Sequence, residues 1–351
     1  MKINFLTGPV SISEAVQNSF AQLPVSHRSA AFIELMASTK RRIQSLIKAQ
    51  EVIFMSGSGT LANEAIAWQL KQLKGQGLIL SNGEFGQRLI RQAGQSGLHY
   101  ITHALPYGEA FDPDSIGEIL RANPGLSWLW MVVHETSVGI WNDHEAILAV
   151  CEQYGVRVAV DGVSAIAVQE LDLSKVYLAS GVSGKAIAAY PGICFVMSDR
   201  TAFTTGNIPV YLDLHYYQSC GGIPFTINSN LIAALDQALS EIDLSTDTRH
   251  MSALKAHMLA YLQQENITVI NTVNPSPNMI TLQLPRECSS ESLGDRLAEE
   301  GINVGYKSKY LIERNWLQLF FTRNNRAEEA EGFKRRFAFK HDIKKISSDF
   351  Y

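Results

Sequence analysis

Val158-Ala159-Val160-Asp161, then Val176-Tyr177-Leu178-Ala179-Ser180-Gly181-Val182-Ser183-Gly184-Lys185, then Gly192-Ile193-Cys194-Phe195-Val196-Met197 carry the reading that decides the fold. Each is a short apolar run without strict alternation, the pattern of a strand covered on both faces. Upstream the same rhythm recurs at residues 52–55, 77–81, 99–102 and 128–133, with helix-length amphipathic stretches between. Together with 157–161, 176–180 and 193–197 these runs predict an α/β protein: a mostly parallel, seven-stranded sheet in a three-layer α/β/α unit. After about residue 240 the pattern changes to a long helical stretch near 252–264, strand candidates at 279–284 and 316–322, and a charged helix near 326–340. The expected organisation is a large domain over 1–240 and a smaller α+β domain over 241–351, with residues 1–15 packing against the smaller one.

The chain has 351 residues, 46% of them hydrophobic and 18% charged, a composition that buries a sizeable core and lies far from the disordered range. Its formal net charge of -4 is spread among interspersed acids and bases, which gives no field for nucleic acid or an anionic membrane. Only the tail, from Lys334-Arg335-Arg336 to Lys344-Lys345, is locally basic, and it reads as a solvated terminal helix. The opening Met1-Lys2-Ile3-Asn4-Phe5-Leu6 lacks the apolar run of a secretory signal, and no stretch approaches the roughly 20 apolar residues of a membrane span. Cys151, Cys194, Cys220 and Cys288 form no CxxC pair, which argues against zinc and a disulfide framework and suits a reducing cytoplasm.

Open parallel sheets bind ligands at the carboxyl ends of their strands. At one such end Ser56-Gly57-Ser58-Gly59-Thr60 leads into a helix, and glycines there let an anion meet free N–H groups at the positive end of the helix. The stretch also satisfies the dinucleotide pattern G-x-G-x-x-A (Gly57, Gly59, Ala62), with Glu84 as a ribose ligand, so a phosphate site and a dinucleotide site both stand open here. Asp161 sits at another strand end, where a carboxylate can hold a protonated pyridine nitrogen or can simply cap a helix. Lys185 follows in a small-residue loop and can form an imine; alanine at positions 179 and 186 excludes a P-loop.

In order along the chain, Gly8-Pro9, His27-Arg28-Ser29, Ser56-Gly57-Ser58-Gly59-Thr60, Asn82-Gly83-Glu84-Phe85-Gly86-Gln87-Arg88, His134-Glu135-Thr136-Ser137-Val138-Gly139, Asp161-Gly162-Val163-Ser164, Ser183-Gly184-Lys185 and Gly221-Gly222-Ile223-Pro224-Phe225-Thr226 resemble the motifs of the class V aminotransferases, pyridoxal-5'-phosphate (PLP) enzymes of fold type I. The resemblance is nearest the branch with alanine–glyoxylate, serine–pyruvate and 2-aminoethylphosphonate–pyruvate aminotransferases. It implies a transaminase that carries PLP as a Schiff base on Lys185 and moves an amino group from a primary amine or amino acid to a small 2-oxo acid. It further implies that Asp161 pairs with the ring nitrogen, Phe85 stacks on the ring, Thr136 bonds near the phenolic oxygen, Ser58, Gly59, Thr60 and Ser183 hold the phosphate, and Thr226 reaches the partner's cofactor in a cytoplasmic homodimer.

Two departures qualify it. Gly184 stands where relatives carry Gln or Asn. Aligning Trp316-Leu317-Gln318-Leu319 on the strand that usually holds the carboxylate-binding arginine puts Gln318 in that place, a neutral amide able to donate to one carboxylate oxygen but carrying no charge. Simple α-amino acids such as alanine are then expected to be poor substrates. The preferred amine would lack an α-carboxylate or be held by another cation, with Arg28, Lys307, Lys309 and Arg323 as candidates; Gly8 is also expected to bind substrate, and a short shift in register makes Arg323 the usual anchor instead. A PLP lyase remains an alternative because the scaffold fixes the cofactor and not the reaction. A cysteine desulfurase is disfavoured by Phe85 in place of a ring-stacking histidine and by the lack of a late cysteine beyond Cys288. A catalytically idle PLP-fold protein is disfavoured by the presence of both Lys185 and Asp161, and an NAD-dependent dehydrogenase stays as a minor reading of the glycine loop.

Overall fold

A computed structural model describes residues 2–200, 203–270 and 273–337. Its centre is a seven-stranded sheet in the order Glu51–Gly57, Gly192–Ser198, Leu178–Val182, Arg157–Asp161, Leu126–Val132, Gln76–Ser81, Tyr100–Ala104. Gly192–Ser198 pairs antiparallel with both of its neighbours and every other pairing is parallel. Alternate residues of the same strands feed two separate cores, as a strand period of two requires. Val52, Phe54, Leu129 and Met131 face one side with the helices Ala30–Ile47, His144–Gln153 and Ser229–Ser240. Ile53, Met55, Trp128 and Trp130 face the other with Gly59–Leu70 and Glu84–Gln95. The three-layer expectation therefore holds, as does the placing of all seven runs in one sheet.

The boundaries differ where small residues look like loop. The run expected at 176–180 is a strand over Leu178–Val182, because Gly181 lets the chain continue under Phe195: a Cβ at 181 would lie 2.2 Å from that ring. The strand also weakens the dinucleotide reading of the Gly57 loop, since Glu51–Gly57 is an edge strand whose neighbour is antiparallel, whereas that fingerprint needs a first strand at the middle of a parallel sheet.

A third apolar core joins the antiparallel strands Met279–Gln283 and Trp316–Phe320 to the helices Leu244–Gln264 and Ala327–Arg336, through Met258, Leu282, Leu319 and Phe333. The charged helix expected over 326–340 is described as far as Arg336, and the basic pair Lys344-Lys345 lies outside the described residues. Ile3 and Phe5 belong to this core: Ile3–Asn4 pairs in parallel with Ile302–Asn303, and Phe320 N–H donates to Phe5 O at 2.9 Å. Val10 and Val16 instead enter the first core, so the segment crosses from one core to the other. Among the described residues no helix is long and apolar enough to cross a membrane. Gly181→Ala should lower stability by about 1–3 kcal/mol through overpacking against Phe195, read as a drop in the urea midpoint without a change in slope.

Candidate active site

The carboxyl ends of four strands and the antiparallel turn at Gly192 converge on a cavity of about 380 Å³. Its walls carry the Ser58-Gly59-Thr60 turn, Phe85, Asp161 and Lys185, which the sequence singled out, together with Asn63, Arg88 and His134, which it did not assign. Gly8 closes it. A Cβ at position 8 would stand 3.1 Å from Gly184 O and 3.1 Å from Lys185 Cδ, so the lysine's stem passes directly against the glycine backbone.

Asp161 is buried at the end of its strand, and burial pushes its pKa up by penalising the charged form. Asn63 Nδ2 donates to Oδ2 at 2.7 Å and Val163 N–H to Oδ1 at 2.9 Å, and the charges of Arg88 and Lys185 act the same way, favouring the carboxylate. Lys185 shows the mirror effect: burial lowers its pKa to about 8, with Asp161 opposing and Arg88 adding to the shift. The helix Gly59–Leu70 begins at Ser58 with no side-chain cap, so its first N–H groups stay open to an anion. Phe85 packs edge-on to Tyr310 at 6.5 Å, and the Arg88 guanidinium lies over its ring at 4.7 Å.

Buried Glu135 fixes the helix that carries Phe85. Its Oε2 accepts from Gly86 N–H at 2.9 Å and its Oε1 from Ser137 Oγ at 2.5 Å, while Ser137 Oγ accepts from Glu84 N–H at 2.9 Å. A carboxylate at that positive helix end is favourably placed. His134 lies 2.8 Å through Nδ1 from Ser164 O; a carbonyl only accepts, so Nδ1 carries the proton and Nε2 is left as an acceptor. Burial holds this ring's pKa at about 4. His134 Nε2 and Asn63 Oδ1 are both buried without a hydrogen-bond partner among the described residues.

Several expected site residues lie elsewhere. Thr136 and Ser183 are buried but do not line the cavity: Thr136 O accepts from Gln318, and Ser183 Oγ donates to Tyr190 O at 2.6 Å. Thr226 and Arg28 are exposed and away from it. Gln318 lines a neighbouring cavity of about 440 Å³ that shares Gly8 with the first. Its expected donation to a carboxylate is corrected by the geometry: Nε2 already donates to Thr136 O at 2.8 Å, Ser137 O at 3.0 Å and Thr281 Oγ1 at 3.1 Å. Arg323 lines neither cavity: its guanidinium donates to Ala186 O at 3.1 Å and Ala238 O at 3.0 Å, and its buried Nε has no partner among the described residues. Lys307 pairs with Asp295 and Lys309 with Glu313, both on side chains that are mostly exposed.

A buried carboxylate held by donors, a depressed lysine, an uncapped helix start and unpaired buried polar atoms in one cavity fit PLP, and the mostly parallel sheet is that of PLP fold type I. Residues 11–307 match the model of the family described as aminotransferase class-V, and the chain belongs to that PLP-dependent family. The 2-aminoethylphosphonate–pyruvate transaminase of Burkholderia ambifaria is 32% identical over 248 residues, covering 67% of this chain and 66% of that protein. This chain thus matches about two thirds of the curated relative's length. In structure the chain resembles the pyridoxamine–pyruvate aminotransferase of Mesorhizobium loti (TM-score 0.88, 19% identity, 98% and 92% of the two chains). It also resembles the alanine–glyoxylate aminotransferase of a Nostoc species (TM-score 0.87, 22% identity, 98% and 95%).

A lysine amine is nucleophilic only when neutral, and a pKa near 8 makes that fraction substantial well below the ordinary 10.5. The rate at which the cofactor-free protein captures PLP, trapped with borohydride and located on Lys185 by mass spectrometry, should therefore rise with pH through an inflection near 8. An inflection above 10 would contradict the depressed amine.

Proposed function

We propose that this protein is a PLP-dependent aminotransferase that moves an amino group from a primary amine or amino acid to a small 2-oxo acid, with Lys185 as the cofactor-bearing residue. The observation that carries the reading is that Lys185 and Asp161 line one cavity together with the uncapped helix start at Gly59. Bound PLP supplies a carbonyl that condenses with amines and a cationic ring that withdraws electrons from the carbon beside the substrate nitrogen.

The protein's own residues do the rest. Asp161, held by Asn63 and the Val163 N–H, offers the ring nitrogen a fixed negative charge. Ser58, Gly59 and Thr60 present N–H groups and hydroxyls to the phosphate, and Phe85 gives the ring a flat apolar face. Lys185, displaced by the incoming amine, is the base for the proton on the substrate's α-carbon, a task suited to an amine whose pKa lies near working pH. The wall at Gly8 limits the space around its stem and so its swing. Thr226 is exposed, as are Val210 and Tyr211 nearby, which supports a homodimer in which Thr226 reaches the partner's cofactor. The substrates in the name of the Burkholderia relative, 2-aminoethylphosphonate and pyruvate, support a primary amine as donor and a small 2-oxo acid as acceptor.

Lys185→Ala should abolish turnover and the borohydride-trapped label while leaving a folded protein; residual steady-state activity in that variant would defeat the assignment. Asp161→Asn should cost about 100-fold or more in kcat, roughly 3 kcal/mol of transition-state stabilisation. Glu84→Gln should change kcat by less than about threefold, under 1 kcal/mol, because Glu84 spends its carboxylate on Arg91 and Tyr107 outside the cavity. The opposite order of these two losses would restore the dinucleotide reading.

A further inference from the structure

Every transaminase acceptor of the 2-oxo acid class carries an anion, and the place where a cation would meet it is not where the chain's alignment puts it. Gln318 has turned its amide donors inward to two backbone carbonyls and Thr281, so the atom it leaves over for the neighbouring cavity is Oε1, an acceptor with no donor among the described residues. An acceptor repels a carboxylate. Arg323 lines neither cavity and turns two of its guanidinium nitrogens to backbone carbonyls; Lys307 lines the cavity beside Gln318 but not the one with Lys185, and pairs with Asp295; Lys309 pairs with Glu313, and Arg28 is exposed outside both cavities.

Arg88 differs from all of these. It projects from the second turn of the helix Glu84–Gln95, lines the same cavity as Lys185 and Asp161, and has neither an ion pair nor a hydrogen bond among the described residues. Its guanidinium rests on the Phe85 ring at 4.7 Å. The ring contact uses none of its N–H donors, and with no hydrogen bond among the described residues the parallel pairs of its fork can take two oxygens of one anion.

We propose that Arg88 grips the anionic end of the substrate, a carboxylate or phosphonate, in place of the residue at position 318. The assignment rests on the aminotransferase reading above. It moves the charge that sorts substrates from the small sheet to the helix bearing Phe85, and it makes Gln318 a residue that tolerates a donor or an apolar group but no second anion. The preferred amine then has one anionic end, directed to Arg88, and no carboxylate pressed against Gln318.

The test uses PLP-loaded protein and two inert probes, propionate and methylphosphonate, titrated by calorimetry. Arg88→Gln should weaken binding of both about tenfold or more, the loss of a charge-assisted contact, and Arg88→Lys, which keeps the charge without the fork, should fall between. KM for pyruvate should rise by a larger factor than kcat falls, and the affinity of the cofactor-free protein for PLP should shift less than about threefold. The competing source of the anion is the cofactor's own phosphate. If Arg88→Gln weakens PLP but not pyridoxal, and the probes bind as before, Arg88 serves the phosphate and the proposal is overturned. Unchanged probe binding in Arg88→Gln overturns it as well. A wild-type protein that takes up no PLP removes the aminotransferase reading, and this assignment with it.

Discussion

The structure turns on one carboxylate, Asp161, set at the end of a buried strand in the wall of the cavity. A buried anion is stable only with donors and a countercharge built around it. The sheet supplies the position, because a strand buried on both faces ends at a cavity and not at bulk solvent. The helix Gly59–Leu70 supplies Asn63, the turn after the strand supplies the Val163 N–H, and Lys185 and Arg88 supply positive charge. The same burial depresses Lys185, so acid and base are tuned by one environment acting on opposite charges. What makes the site costly to fold is also what makes it reactive.

The large sheet was legible because its evidence is local. Runs such as 52–55 and 128–133 are apolar on both faces and are bounded by turn residues, a pattern that tertiary contacts reinforce. Asp161 and Lys185 were legible for the same reason, as charged residues at the ends of such runs. The Gly57 loop was not decidable from spacing, since a glycine turn before a helix looks alike in a dinucleotide site and a phosphate site. What separates them is the neighbour of Glu51–Gly57, and that neighbour, Gly192–Ser198, lies far along the chain and runs the other way.

The substrate side was harder to read, for a physical reason. Whether a cation is available depends on what its hydrogen bonds are already doing, and those partners are distant in sequence: Gln318 with Thr136, Arg323 with Ala186. Residue type at the expected position suggested a weak donor at 318, and the fold turned it into an acceptor. His134, though part of a motif, and Asn63 were given no role, because an imidazole on an apolar strand end and an asparagine inside a helix look like core filling. The unpaired atoms that mark them appear only once the packing around them is known.

The strand Ile3–Asn4 has a consequence for how the protein is made. Its partners are Ile302–Asn303 and, through Phe5, Phe320, so a chain leaving the ribosome holds these residues unpaired until that distant stretch has emerged. The central sheet can form much earlier, from contacts closer in sequence. Gly8, which walls the lysine, follows directly from that late pairing. The cavity wall at Gly8 thus waits on a pairing that the central sheet does not need, so a nascent chain can hold that sheet before it has a closed cavity in which an amine could react.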